Sequence, residues 1–208
     1  MVEHVDIADT DRHEPKHAST AVAKQVCTSI GGGATEFAFV NYADIIGTPT
    51  PQGYKSVLAA FSAGNQTPSA LDTPLQVNFG SPQANTDISL AANGTITFNT
   101  DGDYAITLLA RFGRTALGGN AVILSRYLVN DVQGLNTNAI SLPDATSITP
   151  FSTTLFVPAL AGDTFKLQIM RDSSGVNVGG LTALVPVLAG WNVSPSATIV
   201  VSKYVGSV

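Results

Sequence analysis

At 208 residues and 44% hydrophobic content, the chain is long enough to bury one good-sized core plus an appendage. Charged residues make up only 12% of it, and a net charge of −5 with no Lys/Arg cluster argues against nucleic acid or an anionic membrane as partner. The single cysteine, Cys27, excludes an internal disulfide, and no run of the ~18 apolar residues that a membrane-spanning helix needs is present. Charge normally keeps a free protein soluble, so a surface this poor in it implies coverage in an assembly. The opening MVEHVDIADTDRHEPKH is polar and acidic, unlike a signal peptide, and synthesis in a cytoplasm without that export route is expected.

Residues 1–36 differ from the rest. They hold all three histidines (His4, His13, His17) and nine of the charged residues, and run into the triple glycine Gly31-Gly32-Gly33, a flexible joint. Ala18 to Val26 has the makings of a short helix that is marginal without partners. The segment reads as an arm that gains order by binding. Residues 37–54 read as a connecting segment, and residues 55–208 as the main domain.

Within that domain the pattern is one of short strands. Lys55–Phe61, Leu75–Phe79 and Ile88–Ala91 are strand candidates, with Pro68 and Pro74 confining Asn65–Pro74 to loop. Asn93–Phe112 is the central stretch. Thr95–Phe98 reads as a strand, TDGD (Thr100–Asp103) as a tight turn, and Tyr104–Phe112 as the return strand of a hairpin. Tyr104, Ile106, Leu108, Ala110 and Phe112 then share one face, while Ala105, Thr107, Leu109 and Arg111 form another that is only partly polar. A strand apolar on both faces belongs inside a sandwich or against another subunit. Ala121–Asn130 is a strand, and Asp131–Asn138 a turn region. In Ser147–Val157, Thr153, Leu155 and Val157 lie on one side and Thr154 and Phe156 on the other. Thr164–Arg171 alternates cleanly, and Ala197–Val205 closes the domain. Leu181–Leu188 is apolar but interrupted by Pro186. About nine or ten strands at roughly ten-residue spacing predict an all-β antiparallel sandwich or jelly roll with an extended N-terminal arm.

Certain residues carry a family likeness. A strand ending in Phe98 is followed by Gly102-x-Tyr104 and a long apolar strand. Later come Leu160, Gly162 and Asp163 leading into the alternating strand of Phe165, then a closing strand near Tyr204. Over residues 55–205 this order resembles the C1q/TNF-like jelly roll. The resemblance implies a homotrimer whose apolar strand faces meet on a threefold axis, with Tyr104, Ile106, Leu108, Phe112 and Tyr204 at the subunit interface. Trp191 has no role in that pattern. The segment Asp11, Arg12, His13, Glu14, Pro15 and Lys16, followed by Ala18-Ser19-Thr20-Ala21, resembles the opening of tailed-bacteriophage structural proteins. That implies a particle-docking arm that binds the major capsid protein or another virion protein.

His13-Glu14-Pro15-Lys16-His17 spells the H-E-x-x-H zinc-protease pattern, which needs both histidines on one face of a regular helix. Pro15 removes a helical donor and pushes Glu14 out of the helical region, so a polar docking arm is the better reading. Cys27 lacks a preorganised base, and no histidine lies in the main domain to serve a serine nucleophile. Asp101, Asp103 and Asp163 read as turn carboxylates in preference to calcium ligands. Arg111, Arg114, Arg126 and Arg171 are open to an interface, to Asp131 or Asp172, or to a ligand. No catalytic residue, metal or cofactor is expected.

Together the two resemblances imply a non-enzymatic virion protein assembled in the host cytoplasm, a trimeric capsid decoration or head-fibre protein. The competing expectation is a receptor- or glycan-binding tip of a tail spike or fibre. The loops Gly113–Gly119 and Asp172–Gly180 contain no aromatic residue to stack on a sugar.

Overall fold

The computed structural model describes residues 26–31, 34–38, 53–114, 119–134, 136–175 and 177–206. The chain divides into two compact units, Met1–Thr50 and Pro51–Val208. In the first, β1 (Val26–Gly31) pairs antiparallel with β2 (Ala34–Ala38), so Cys27 stands opposite Phe37. The helix expected from Ala18 and the docking residues Asp11 to Lys16 lie outside the described residues, except Val26, which opens β1.

The second unit is an antiparallel β-sandwich of jelly-roll type. Its strands are β3 (Gly53–Ser62), β4 (Leu75–Gln76), β5 (Gln83–Ala84), β6 (Ile88–Leu90), β7 (Ile96–Phe98), β8 (Gly102–Arg114) and β9 (Ala121–Val129). There follow β10 (Val132–Gln133), β11 (Asn138–Leu142), β12 (Ile148–Ala159), β13 (Thr164–Arg171), β14 (Gly179–Leu181) and β15 (Ala197–Val205). One sheet has the order β12-β8-β15-β3, with β14 also on β8. The other has the order β10-β9-β13-β7-β6-β5, with β11 on β9 and β4 on β13. Most neighbours are remote in sequence: the last strand, β15, lies between β3 and β8.

The core forms where the long strands carry apolar residues at alternate positions. Tyr104, Ile106, Leu108, Ala110 and Phe112 of β8 point inward, as do Ile199 and Val201 of β15. Phe98, Ile123, Phe165, Leu167 and Ile169 meet them from the other sheet. At one end the Phe98 and Tyr104 rings lie 4.6 Å apart.

The expected hairpin of Thr95–Phe98 with Tyr104–Phe112 does not form. β7 pairs with β6 and β13, whereas β8 pairs with β12 and β15 in the opposite sheet. Each strand has a buried face, and Phe98 and Tyr104 approach the same core from opposite sides. The TDGD turn is therefore a crossover. A polar cluster ties it down. Lys203 Nζ donates to Asp87 Oδ1 at 3.0 Å and to Thr100 Oγ1 at 2.7 Å. Tyr104 OH donates to the Thr100 carbonyl at 2.8 Å.

Other boundaries shift for local reasons. The turn expected over Asp131–Asn138 starts one residue earlier, with a tight reversal at Asn130-Asp131, both in the left-handed region (φ 51° and 63°), which lets β10 fold back on β9. Its last residue begins β11, a strand hidden from the sequence pattern because its first residues are polar or small and exposed. Leu75–Phe79 contributes only two residues to a ladder, although Val77 and Phe79 are buried. In Leu181–Leu188 only Leu181 is in a strand, and Leu184, Val185, Val187 and Leu188 are exposed.

Gly94 follows Ala92-Asn93 with φ +84°, and an added Cβ would strike the Val77 carbonyl oxygen. Gly94→Ala combines a disfavoured backbone with a backbone clash and is expected to cost about 1–3 kcal/mol. Thermal unfolding measures this as a lowered midpoint.

Candidate subunit-assembly face

The outward side of the sheet β12-β8-β15-β3 is built by the residues that alternate with the core. Strand register places them in rows. Phe61, Thr198, Leu109 and Ser152 form one; Ala59, Val200, Thr107 and Thr154 the next; Ser56, Ser202, Ala105 and Phe156 the third. None of these twelve residues is charged. Thr107 and Thr154 hydrogen-bond each other at 3.0 Å across the face.

Tyr54 and Tyr204 extend the face past the third row. The Tyr54 ring sits 6.2 Å from Phe156 and 5.4 Å from Tyr204, in tilted and edge-on arrangements. Phe156 is 70% exposed and Tyr54 51%, so one chain leaves this cluster open to water. With Asp103 the three rings line a cavity of about 310 Å³. Charge appears only at the ends, at Asp103 and at Arg111, whose Nη1 donates to Ser194 Oγ at 2.6 Å. That bond lies at the base of a loop closed by paired backbone hydrogen bonds between Leu184 and Ser194, and Trp191 on it is 70% exposed.

The outward side of the second sheet is chemically different. Lys166 pairs with Asp131 at 2.5 Å, Arg126 with Gln168 at 2.9 Å, and Gln76 Nε2 donates to Thr95 Oγ1 at 2.9 Å. The outward charged side chains Lys166, Asp131 and Arg126 thus stand on this sheet, while the three rows of the first carry none.

Of the residues expected at a subunit interface, Tyr104, Ile106, Leu108 and Phe112 are no more than 2% exposed. They fill the core of a single chain and have no surface left to offer a second one. Tyr204 alone lies on the open face. The residues that do stand there, Tyr54, Phe61, Leu109 and Phe156, alternate with core positions. The signal for Phe156 was its place opposite Leu155 and Val157 in the period-two pattern.

The other singled-out side chains have local partners. Asp101 Oδ1 accepts from the Ala161 N–H at 2.7 Å. Asp163 accepts from the Leu160 N–H at 2.8 Å and from Asn130 Nδ2 at 2.7 Å, and these bonds, the backbone one foremost, hold its carboxyl below the usual range. Among the described residues no three His, Cys, Asp or Glu side chains cluster as metal ligands would. Arg114 is buried and donates to the Gly119 and Leu142 carbonyls. Arg171 is also buried. Asp131, offered as a partner for arginine, is paired with Lys166 instead. No helix among the described residues is long and apolar enough to cross a membrane.

No protein-family model and no curated protein matches the chain.

Proposed function

We propose that the chain is a non-enzymatic bacteriophage virion structural protein, a homotrimeric capsid decoration or head-fibre protein. Its subunits associate through the uncharged face of the sheet β12-β8-β15-β3, and its N-terminal segment anchors it to the major capsid protein or another virion protein. The observation that carries this reading is the exposed Tyr54–Phe156–Tyr204 cluster on a face with no charge in three successive rows. Exposed apolar patches of this kind mark interaction sites, and buried aromatic side chains supply most of the energy of protein interfaces. The sandwich and its outward uncharged rows fit the C1q/TNF-like resemblance. The phage reading rests on the resemblance of residues 11–21.

Light scattering on the full-length protein is expected to give a mass near three times 21.5 kDa. Removing Met1–Thr50 is expected to leave that trimer folded and unable to bind particles. A truncated trimer that still binds them would falsify the docking role of the arm.

The glycan-binding alternative is favoured by one observation, the aromatic-lined cavity with Asp103 at its edge. Sugars stack on such rings and hydrogen-bond to carboxylates. It requires the cavity to stay open in the assembled protein, so glycan binding by the intact trimer, abolished in Tyr54→Ala, would select it.

A further inference from the structure

The outward side of the second sheet carries a cation held in an unusual way. Arg126 of β9 donates through Nε to Gln168 Oε1 at 2.9 Å and through Nη1 to Gln133 Oε1 at 2.8 Å. Gln168 is its direct cross-strand neighbour on β13. Gln133 is itself fixed, its Nε2 donating to Thr137 Oγ1 at 2.9 Å. Both acceptors are neutral amide oxygens. They set the plane of the guanidinium and do not cancel its charge. The ion pairs among the described residues, Lys166–Asp131 and Lys203–Asp87, do not involve it.

The guanidinium borders a cavity of about 100 Å³ with Pro74, Leu124 and Met170 in its walls. A guanidinium has five N–H donors, of which two are committed here, leaving donors that match a carboxylate. An arginine that only braced the sheet would gain more from an acidic neighbour than from two amides, because charge-assisted hydrogen bonds are the stronger ones. A small pocket with apolar walls and one oriented charge has the general make-up of a ligand site.

We propose that this pocket binds a carboxylate on a small, partly apolar body, as an acidic saccharide or an acidic peptide side chain presents. The site lies on the opposite sheet from the assembly face, so it does not depend on trimer formation.

The chain has two methionines, Met1 and Met170. Labelling their methyl carbons gives the full-length protein one NMR signal in the pocket wall and one far along the chain as control. Titration with N-acetylneuraminate and with N-acetylaspartate is expected to shift Met170 saturably in the millimolar range, while methyl acetate leaves it in place. Whichever acid saturates at lower concentration identifies the source, saccharide or peptide. Arg126→Gln is expected to weaken the response at least about tenfold. Gln168→Glu supplies a built-in carboxylate to the guanidinium, and is expected to abolish the response while keeping the wild-type melting temperature. It serves as the decisive variant if Arg126→Gln fails to fold. Absence of a saturable shift with both acids overturns the proposal. So does an unchanged response in Gln168→Glu, or an equal response to chloride.

Discussion

Phe156→Asp is expected to leave the sandwich folded and to reduce its solution mass from three times 21.5 kDa to one. Phe156 is 70% exposed in the single chain, so the substitution removes little intrachain packing. In the assembly its ring would be buried beside Tyr54, with no cation in the three adjoining rows to meet a carboxylate. Losing a central aromatic contact costs an interface about 2–4 kcal/mol, and an unpaired buried carboxylate adds several more. That is enough to dissociate a trimer at micromolar concentration. Tyr54→Ala and Tyr204→Ala are expected to act in the same direction and more weakly. Val132→Asp, at an equally exposed position (70%) on β10 of the other sheet, serves as the silent control. Light scattering with far-UV circular dichroism separates dissociation from unfolding. A folded trimer in Phe156→Asp would place the subunit contact elsewhere on the molecule.

Lys203→Met is expected to lower the stability of the sandwich by about 2–3 kcal/mol, because hydrogen bonds to charged groups carry about 1.5–3 kcal/mol and their loss strands the partner. The Lys203 and Asp87 side chains are 18% and 26% exposed, so neither is fully rescued by water. Lys203 also lies over the Tyr104 ring, 5.7 Å from its centre. Met preserves the stem that packs beneath Gly102 while removing the charge. The pair spans the two sheets, from the loop before β6 to β15, at the crossover where the chain changes sheets.

The pH dependence of this clamp follows from the direction of each shift. The Lys203 hydrogen bond, opposed by burial and helped by Thr100, holds the Asp87 carboxyl below its ordinary value of 3.8. A lowered carboxyl stabilises the fold above that ordinary value, and its contribution is lost as pH falls below it. For Lys203, burial alone would lower the value, but Asp87 and Tyr104 together outweigh it and the net shift is upward from 10.5. That contribution is present below pH 10.5 and is lost as pH rises beyond it. The wild-type melting temperature is therefore expected to fall below about pH 4, with the fall reduced in Lys203→Met. An identical acid profile in the variant would show that other carboxylates govern acid unfolding.

Much of the fold was legible because the longest strands repeat with period two. β13 and β15 have the boundaries their alternation implies, and β8 differs by only two residues at either end. The all-β antiparallel sandwich follows from those strands and the turn residues between them. The candidate assembly face was only half legible. Alternation separated Tyr104, Ile106, Leu108 and Phe112 from Ala105, Thr107 and Leu109, and put Phe156 on the other side of its strand from Val157. Which set turns outward depends on where the second sheet lies, and that is a contact between strands far apart in the chain.

The sequence by itself determined the strand class, the alternating core positions and the shortage of charge, since these follow from local geometry and composition. Tertiary structure alone decided that Phe98 and Tyr104 belong to opposite sheets, because a turn signal marks a reversal and not the strand that will pair next. It alone brought Tyr54, Phe156 and Tyr204 together, from three strands spread over about a hundred and fifty positions of the chain. And it alone set Arg126 between two neutral glutamines, because cross-strand register, which long-range pairing fixes, decides whether a charge meets an acid or an amide.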